Sequence, residues 1–161
     1  MVAASELPIN TSASAMQMAQ TIFGDGATVS SASYSGSNYS SGIYSNGDSV
    51  APGVTPGDTG VILSTGRATD FTNSSGSSNQ SNSTSTNTGG ANNLADFNAA
   101  ANARTYDASY LDIDFVSTGS VMTMQFVFSS EEYPEYVNSL YQDFIGVWVN
   151  GSFVDISIGN G

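Results

Sequence analysis

The sequence predicts an all-β fold, an antiparallel β-sandwich of the jelly-roll type with one short helix near its start. Short stretches of alternating apolar and polar residues recur along the chain, and Ser-Gly, Asn-Gly and Pro-Gly pairs separate them. Such alternation is typical of half-buried strands, and such pairs are typical of turns. Because short strands at close spacing dominate, a sandwich or jelly roll is favoured over a parallel α/β sheet.

The helical pattern lies within residues 11–24. Four apolar residues fall on one face of such a helix: Met16, Ala19, Ile22 and Phe23. Thr11 or Ser12 can cap its start, and Gly24 can end it.

Strand patterns follow the helix. They cover Val29 to Tyr34, Gly42 to Tyr44, Val61 to Leu63, Leu111 to Phe115, Val121 to Phe128, Asp143 to Val149 and Ser152 to Ile158. The Leu111 and Val121 stretches are expected to pair through a turn at Thr118-Gly119. Asn150-Gly151 predicts a hairpin with a type I′ turn between the last two stretches.

The chain is expected to form a single domain over residues 1–161, since this length is sufficient to bury a core. Within it, residues 71–93 consist almost entirely of Ser, Asn, Thr and Gly. Such a segment buries too little apolar surface to offset the cost of ordering it, so it predicts a solvated loop.

The charge composition excludes several functions. Fourteen acidic residues stand against two basic ones, Arg67 and Arg104, and the net charge is −12. A chain of this charge repels nucleic acid and anionic lipid, so a cation is the natural partner. The sequence has no His and no Cys, which excludes thiolate chemistry, familiar Ser or Cys triads and zinc hydrolysis.

No segment of the sequence is apolar for long enough to cross a bilayer. Residues Met1 to Asn10 lack the basic start and apolar run of a secretory signal. Either a signal was removed, or export does not use one.

Two aspartates are candidate metal ligands on a predicted strand. Asp112 and Asp114 are two residues apart, so they share one face at a separation of about 7 Å. They form either the solvated outer face of an amphipathic strand or part of a cation site.

A second acidic group follows the Val121 to Phe128 stretch. It comprises Glu131, Glu132 and Glu135, and Asp143 opens the next predicted strand. Tyr133, Pro134 and Tyr136 lie among the glutamates and can hold the loop in place. With only oxygen ligands available, Ca²⁺ is favoured over a transition metal, although no EF-hand or repeated calcium motif is present.

An enzymatic alternative uses the same carboxylates. Glu131 or Glu135 with Asp143 could act as the paired acids of a carbohydrate-active or self-processing enzyme. Nothing in the sequence sets their separation, so a non-enzymatic protein is expected. Trp148 could stack on a sugar, but its alternation with Val147 and Val149 favours a place in the core.

The order of segments resembles the choice-of-anchor L domain family of bacterial extracellular proteins. The resemblance rests on the end of the helix at Phe23-Gly24, the segments 42–47, 60–66, 105–108 and 111–115, and the run from Phe126 to Ser139. It implies a protein that is exported and either anchored at the cell surface or released, and similar chains are often exported by type I secretion. It also implies that this chain is the N-terminal part of a longer domain, completed by further C-terminal strands or by a partner chain.

The function expected from these observations is a non-enzymatic, secreted or cell-surface bacterial module that is stabilised by Ca²⁺ and serves adhesion, matrix or filament assembly. Its expected partner is another polypeptide, either the rest of the domain or a neighbouring subunit, and a surface glycan is a further candidate. A purely structural fibre subunit completed by a neighbour's strand is the remaining alternative.

Overall fold

The computed structural model describes residues 6–71, 90–130, 143–154 and 156. Contacts within the chain divide it into two compact units. The first unit comprises Met1–Ala91 and Asp107–Val127, and the second comprises Asn92–Tyr106 and Phe128–Gly161. The single domain over residues 1–161 stays a prediction. Most of the loop predicted over residues 71–93 lies outside the described residues.

The described residues form seven strands and three α-helices. The strands are β1 Ile9–Asn10, β2 Ala27–Ser35, β3 Ser41–Tyr44, β4 Gly60–Leu63, β5 Tyr110–Ser117, β6 Val147–Val149 and β7 Ser152–Val154. The helices are α1 Ala15–Phe23, α2 Gly47–Val50 and α3 Ala95–Ala101. The sequence predicted α1 alone, although Ala, the residue with the highest helix propensity, makes up much of α3.

Helix α1 begins later than the sequence predicts. Its N-cap is Ser14, not Thr11 or Ser12. The Ser14 Oγ accepts a hydrogen bond from the Gln17 backbone N–H at 3.2 Å, and the Gln17 Oε1 accepts one from the Ser14 N–H at 2.9 Å. This reciprocal capping box satisfies two amides that the helix itself leaves unpaired, which explains why the helix begins here. The predicted end is confirmed, because Gly24 is the C-cap with φ of 50°.

The first unit contains two antiparallel sheets. One has the strand order β1-β3-β4, with Ile9 opposite Tyr44 and Ser41 opposite Leu63. The other pairs β2 with β5 along nearly their whole length, with an irregularity between Val29 and Ser31.

The pairing predicted for β5 is wrong. Its partner is β2, and residues 121–130 form no strand within the described part of the chain. The turn after β5 explains the difference: the Thr118 N–H donates to the Gly26 carbonyl at 3.1 Å, and its Oγ1 donates there at 2.9 Å. These bonds continue the β2–β5 pairing beyond Ser117, the last residue of β5.

The core of the first unit lies beneath α1. This helix contacts β2, β3, β4 and β5, so it packs on strands of both sheets. Met18 is 1% exposed and Ala19 is completely buried. The Phe23 ring, at the end of the helix, lies 4.4 Å from the Phe115 ring of β5. The predicted antiparallel sheets with few short helices are therefore confirmed. The described strands form no closed barrel. The sandwich arrangement stays a prediction.

The second unit contains α3 and the β6–β7 hairpin. The hairpin confirms the predicted turn, with φ of 51° at Asn150 and 76° at Gly151 and with Val149 opposite Ser152. Trp148 stacks on Phe97 of α3 with a centroid distance of 5.0 Å, and it meets Phe153 edge-on at 5.3 Å. Trp148 thus packs among other aromatic rings of its unit but is only half-buried, so its place in the core stays a prediction.

Candidate functional site

The two aspartates of β5 occupy one face of the strand, as predicted. Asp112 and Asp114 are exposed, and the apolar residues that alternate with them are half-buried. The Asp114 Oδ2 accepts a hydrogen bond of 2.6 Å from the Ser31 Oγ, and the Asp114 carbonyl accepts one of 3.0 Å from the Ser30 Oγ. One carboxylate oxygen is thus already engaged across the sheet. This arrangement fits the solvated outer face of an amphipathic strand.

Asp143 lies in the second unit, just before β6. Its Oδ2 accepts a short hydrogen bond from the Ser130 Oγ, and this bond joins the two ends of the predicted acidic loop. The other predicted ligands, Glu131, Glu132 and Glu135, lie outside the described residues. Within the described ranges, no three acidic side chains are grouped so that they could hold a metal ion. The calcium site stays a prediction.

A cluster that the sequence did not single out surrounds Tyr44 at the end of β3. This tyrosine is 6% exposed, and its hydroxyl hydrogen bonds to the backbone of Gly57. Burial raises the pKa of Tyr44, and the hydrogen bond to Gly57 lowers it in part. The negative charges of Asp48 and Asp58 raise the pKa further.

Backbone hydrogen bonds hold the loop of this cluster together. The Gly47 N–H donates to the Asp58 carbonyl at 2.8 Å, and the Asp48 N–H donates to the Asp58 Oδ1 at 3.3 Å. Asn46 takes up the left-handed conformation at φ of 60°. The Asn-Gly and Pro-Gly pairs were visible in the sequence as turn signals, but nothing in it indicated that the two turns pair with each other.

An exposed apolar row is the other surface feature of the first unit. It consists of Val121, Met122, Met124 and Val127, and Val121 is 81% exposed. An open groove of about 420 Å³ lies between the row and residues 53–56, with Val54 on one wall and Met124 on the other. The row contains no charged residue, although the chain carries a net charge of −12. The sequence predicted this segment as a paired strand, so its exposure was not foreseen.

Comparison with protein families identifies the chain. A model of the choice-of-anchor L domain matches residues 7–159, nearly the whole sequence. The chain belongs to this family. A search of curated proteins and a search of solved structures gave no match.

Choice-of-anchor L membership supports a secreted or surface-anchored protein, in agreement with the extracellular location expected from the sequence. Among the described residues, no helix has the length and apolar character that a membrane span requires.

Proposed function

We propose that this choice-of-anchor L domain is a non-enzymatic extracellular module that assembles with a neighbouring subunit in adhesion, matrix or filament formation, and that Ca²⁺ stabilises it. The apolar row Val121, Met122, Met124 and Val127 carries the assembly part of this proposal. Family membership supports the extracellular part.

The exposure of the row favours a protein partner. Val121 is 81% and Val127 is 53% exposed, and the two methionines between them are about half exposed. Contiguous apolar surface on a water-soluble domain generally marks an interaction site, because burying it against a partner is favourable by about 25 cal/mol per Å². The groove beside Val54 and Met124 offers a concave surface in which a side chain of the partner can be buried.

The sheet of β2 and β5 adds a second element to the assembly proposal. Within the described part of the chain, this sheet consists of two strands, β2 and β5, so each of them is an edge strand. An open edge of this kind accepts a strand from another chain. The row itself is uncharged, so contacts made through it bury no carboxylate.

Self-assembly of the purified chain tests this part of the proposal. In sedimentation velocity over a micromolar concentration series, we expect oligomers whose population increases with salt, because a Debye length of about 8 Å at 0.15 M screens the repulsion between acidic copies. Val121→Ser with Val127→Ser should weaken association by about tenfold for each valine. Val149→Ser, at an exposed valine of the second unit, is the matched control and should leave association unchanged. A wild-type chain that stays monomeric at every salt concentration would refute self-assembly.

The calcium part of the proposal rests on ligand chemistry. The sequence contains fourteen acidic residues and no His or Cys, so its ligands are those that Ca²⁺ prefers. The Ser130–Asp143 hydrogen bond joins the flanks of the segment that contains Glu131, Glu132 and Glu135. A cation bound by these glutamates would offset their mutual repulsion and stabilise the loop between the flanks.

Thermal melting in EDTA and in millimolar Ca²⁺ tests this part. Extracellular calcium modules have Kd values of about 10⁻⁴ to 10⁻³ M, so 2 mM free Ca²⁺, an order-of-magnitude working value, should add about 0.6 to 2 kcal/mol. For a domain of this size, that corresponds to a Tm increase of about 1 to 7 °C. Glu131→Gln with Glu135→Gln should abolish the increase, and Asp112→Asn should retain it because Asp112 lies on the outer face of β5. Identical Tm values in EDTA and in Ca²⁺ would exclude calcium stabilisation.

The same glutamate variants separate this proposal from the enzymatic alternative. A non-enzymatic module cleaves neither surface polysaccharide nor its own chain, with or without Glu131 and Glu135. Glycan cleavage or chain processing that is present in the wild type and lost in Glu131→Gln would overturn the non-enzymatic assignment.

A further inference from the structure

We propose that Asn150-Gly151 is a site of spontaneous deamidation in the folded protein, and that the fold protects the same dipeptide at Asn46-Gly47. Deamidation of Asn-Gly needs no enzyme or cofactor, only a backbone nitrogen that is free to react and access to water. The two dipeptides differ in whether this nitrogen is hydrogen bonded and in whether the glycine is buried. Asn160-Gly161, a third pair in the sequence, lies outside the described residues.

The nitrogen at Asn46-Gly47 is held in place. The Gly47 N–H donates to the Asp58 carbonyl at 2.8 Å, so this bond must break before its nitrogen can attack the Asn46 side chain. The Asn46 carbonyl in turn accepts hydrogen bonds from the Ser49 N–H at 3.2 Å and the Val50 N–H at 2.9 Å. Both sides of the reacting peptide group are therefore fixed.

The surroundings of Gly47 also enclose it. This glycine is buried, and a Cβ at its position would lie 2.5 Å from the Gly57 carbonyl oxygen and 2.5 Å from the Thr55 Oγ1. These close neighbours restrict the movement of Gly47 that would bring its nitrogen onto the preceding side chain. Deamidation at Asn46 thus requires local unfolding of the 46–58 loop.

The nitrogen at Asn150-Gly151 is open to solvent. Both residues are exposed at the tip of the β6–β7 hairpin, and neither makes a side-chain or turn hydrogen bond within the described part of the chain apart from the strand pairing beside them. A Cβ placed on Gly151 would meet no atom within 4 Å. Water can reach this peptide group from the open side of the turn.

The chemistry balances with water alone. The Gly151 backbone nitrogen attacks Cγ of the Asn150 side chain and loses its proton to solvent. The side-chain amide leaves as ammonia, and a cyclic imide remains. Water then adds to either carbonyl carbon of the cyclic imide, and the carbon–nitrogen bond that breaks determines whether aspartate or isoaspartate forms. Net, one water is consumed and one ammonia is released.

The isoaspartate product changes the hairpin. It adds one methylene to the main chain, and the length of a hairpin loop determines its turn type and the pairing beside it. The register in which Val149 lies opposite Ser152 should therefore be lost. Trp148, the only tryptophan of the chain, lies in β6 beside the turn, so its fluorescence reports the change.

Peptide mapping by mass spectrometry tests the proposal. The full chain is first aged at neutral pH and 37 °C, which are roughly physiological conditions. We expect deamidation at Asn150 to be at least about fivefold faster than at Asn46, the factor that one net hydrogen bond contributes. In urea both sites should react at similar rates, because the two dipeptides are identical. Trp148 fluorescence should change with the fraction of isoaspartate at position 150 and not with the fraction of aspartate. The Asn150→Asp variant gives the fluorescence expected of the aspartate product.

Two results would overturn the proposal. One is equal deamidation of Asn46 and Asn150 in the folded chain. The other is an Asn150 that reacts in urea and stays intact in the native protein, which would mean that the turn itself protects it. The Asn46→Asp variant provides the mass standard for deamidation at Asn46. It shows that the deamidated peptide is detected, so that a low measured rate at Asn46 reflects slow deamidation.

Discussion

Truncation of Met18 tests the position assigned to the core of the first unit. Met18 is 1% exposed on α1, which packs on strands of both sheets. Met18→Ala removes the side chain beyond Cβ, and the lost transfer free energy is about 2.4 kcal/mol at about 0.8 kcal/mol for each group of methylene size. A cavity adds to this cost, so we expect a loss of about 3 kcal/mol, within the range measured for buried Met→Ala changes of about 2 to 5 kcal/mol. Ala has the higher helix propensity, so the loss reports packing and not helix formation.

Urea unfolding followed by far-UV circular dichroism measures this loss as a lower midpoint at constant slope. In thermal melting it corresponds to a Tm decrease of about 6 to 12 °C for a chain of this length. Met122→Ala is the matched control, since Met122 is 44% exposed, and it should change stability by about 0.5 kcal/mol or less. Equal losses in the two variants, or a loss below about 1 kcal/mol for Met18→Ala, would refute the assignment of the core beneath α1.

Three further predictions concern local structure. Ser14→Ala should cost about 1 kcal/mol in urea unfolding, because it removes the side-chain cap of α1. Gly47→Ala should cost about 1 to 3 kcal/mol, because its Cβ would lie 2.5 Å from the Gly57 carbonyl oxygen. Tyr44→Phe should cost about 1 kcal/mol at neutral pH through the lost hydrogen bond to Gly57. Burial raises the pKa of Tyr44, so its contribution is fully present below the unfolded value of about 10 and is lost as pH rises through the folded value. The phenylalanine variant should lack this alkaline loss.

Each of these predictions has its own control. Ser12→Ala removes a hydroxyl outside the helix and should be nearly neutral, so equal effects at Ser12 and Ser14 would contradict the capping box. Gly57→Ala should change stability by about 0.5 kcal/mol or less, because the nearest atom to its Cβ is the Thr59 carbonyl oxygen at 4.0 Å. For Tyr44, unfolding free energies of wild type and variant, measured from about pH 8 to about pH 12, two units on either side of the ordinary tyrosine pKa of about 10, decide the result. Parallel curves for wild type and variant would argue against a perturbed Tyr44.

Much of the fold was predictable because it depends on local sequence. The alternation from Val29 to Tyr34 and from Leu111 to Phe115 predicted β2 and β5, and Asn150-Gly151 predicted the last hairpin. Each of these signals acts over a few residues, through side-chain periodicity or a φ preference. The helix start was misplaced by two or three residues because Thr11, Ser12 and Ser14 are all good caps, and the position of Gln17 selects among them.

The partner of β5 was not predictable in the same way. The alternation of apolar residues sets which face of β5 is buried, but it does not state which strand lies beside it. That choice depends on bonds between residues far apart in sequence, such as the one from Thr118 to Gly26. The exposed apolar row, Val121 to Val127, lies in the segment that the sequence placed beside β5.

The features of the candidate site likewise fall into those that the sequence determines and those that depend on tertiary contacts. The sequence alone determined the charge, the absence of His and Cys, the choice of Ca²⁺ over other metals as the candidate ion, and the family, because all of these depend on which residues are present and in what order. Only the tertiary structure decided that Tyr44 is buried between two turns, that Asp114 is engaged by Ser31, and that Gly47 is enclosed while Gly151 is open. These are contacts between distant parts of the chain, and their energies depend on burial and distance, which no local pattern of residues specifies.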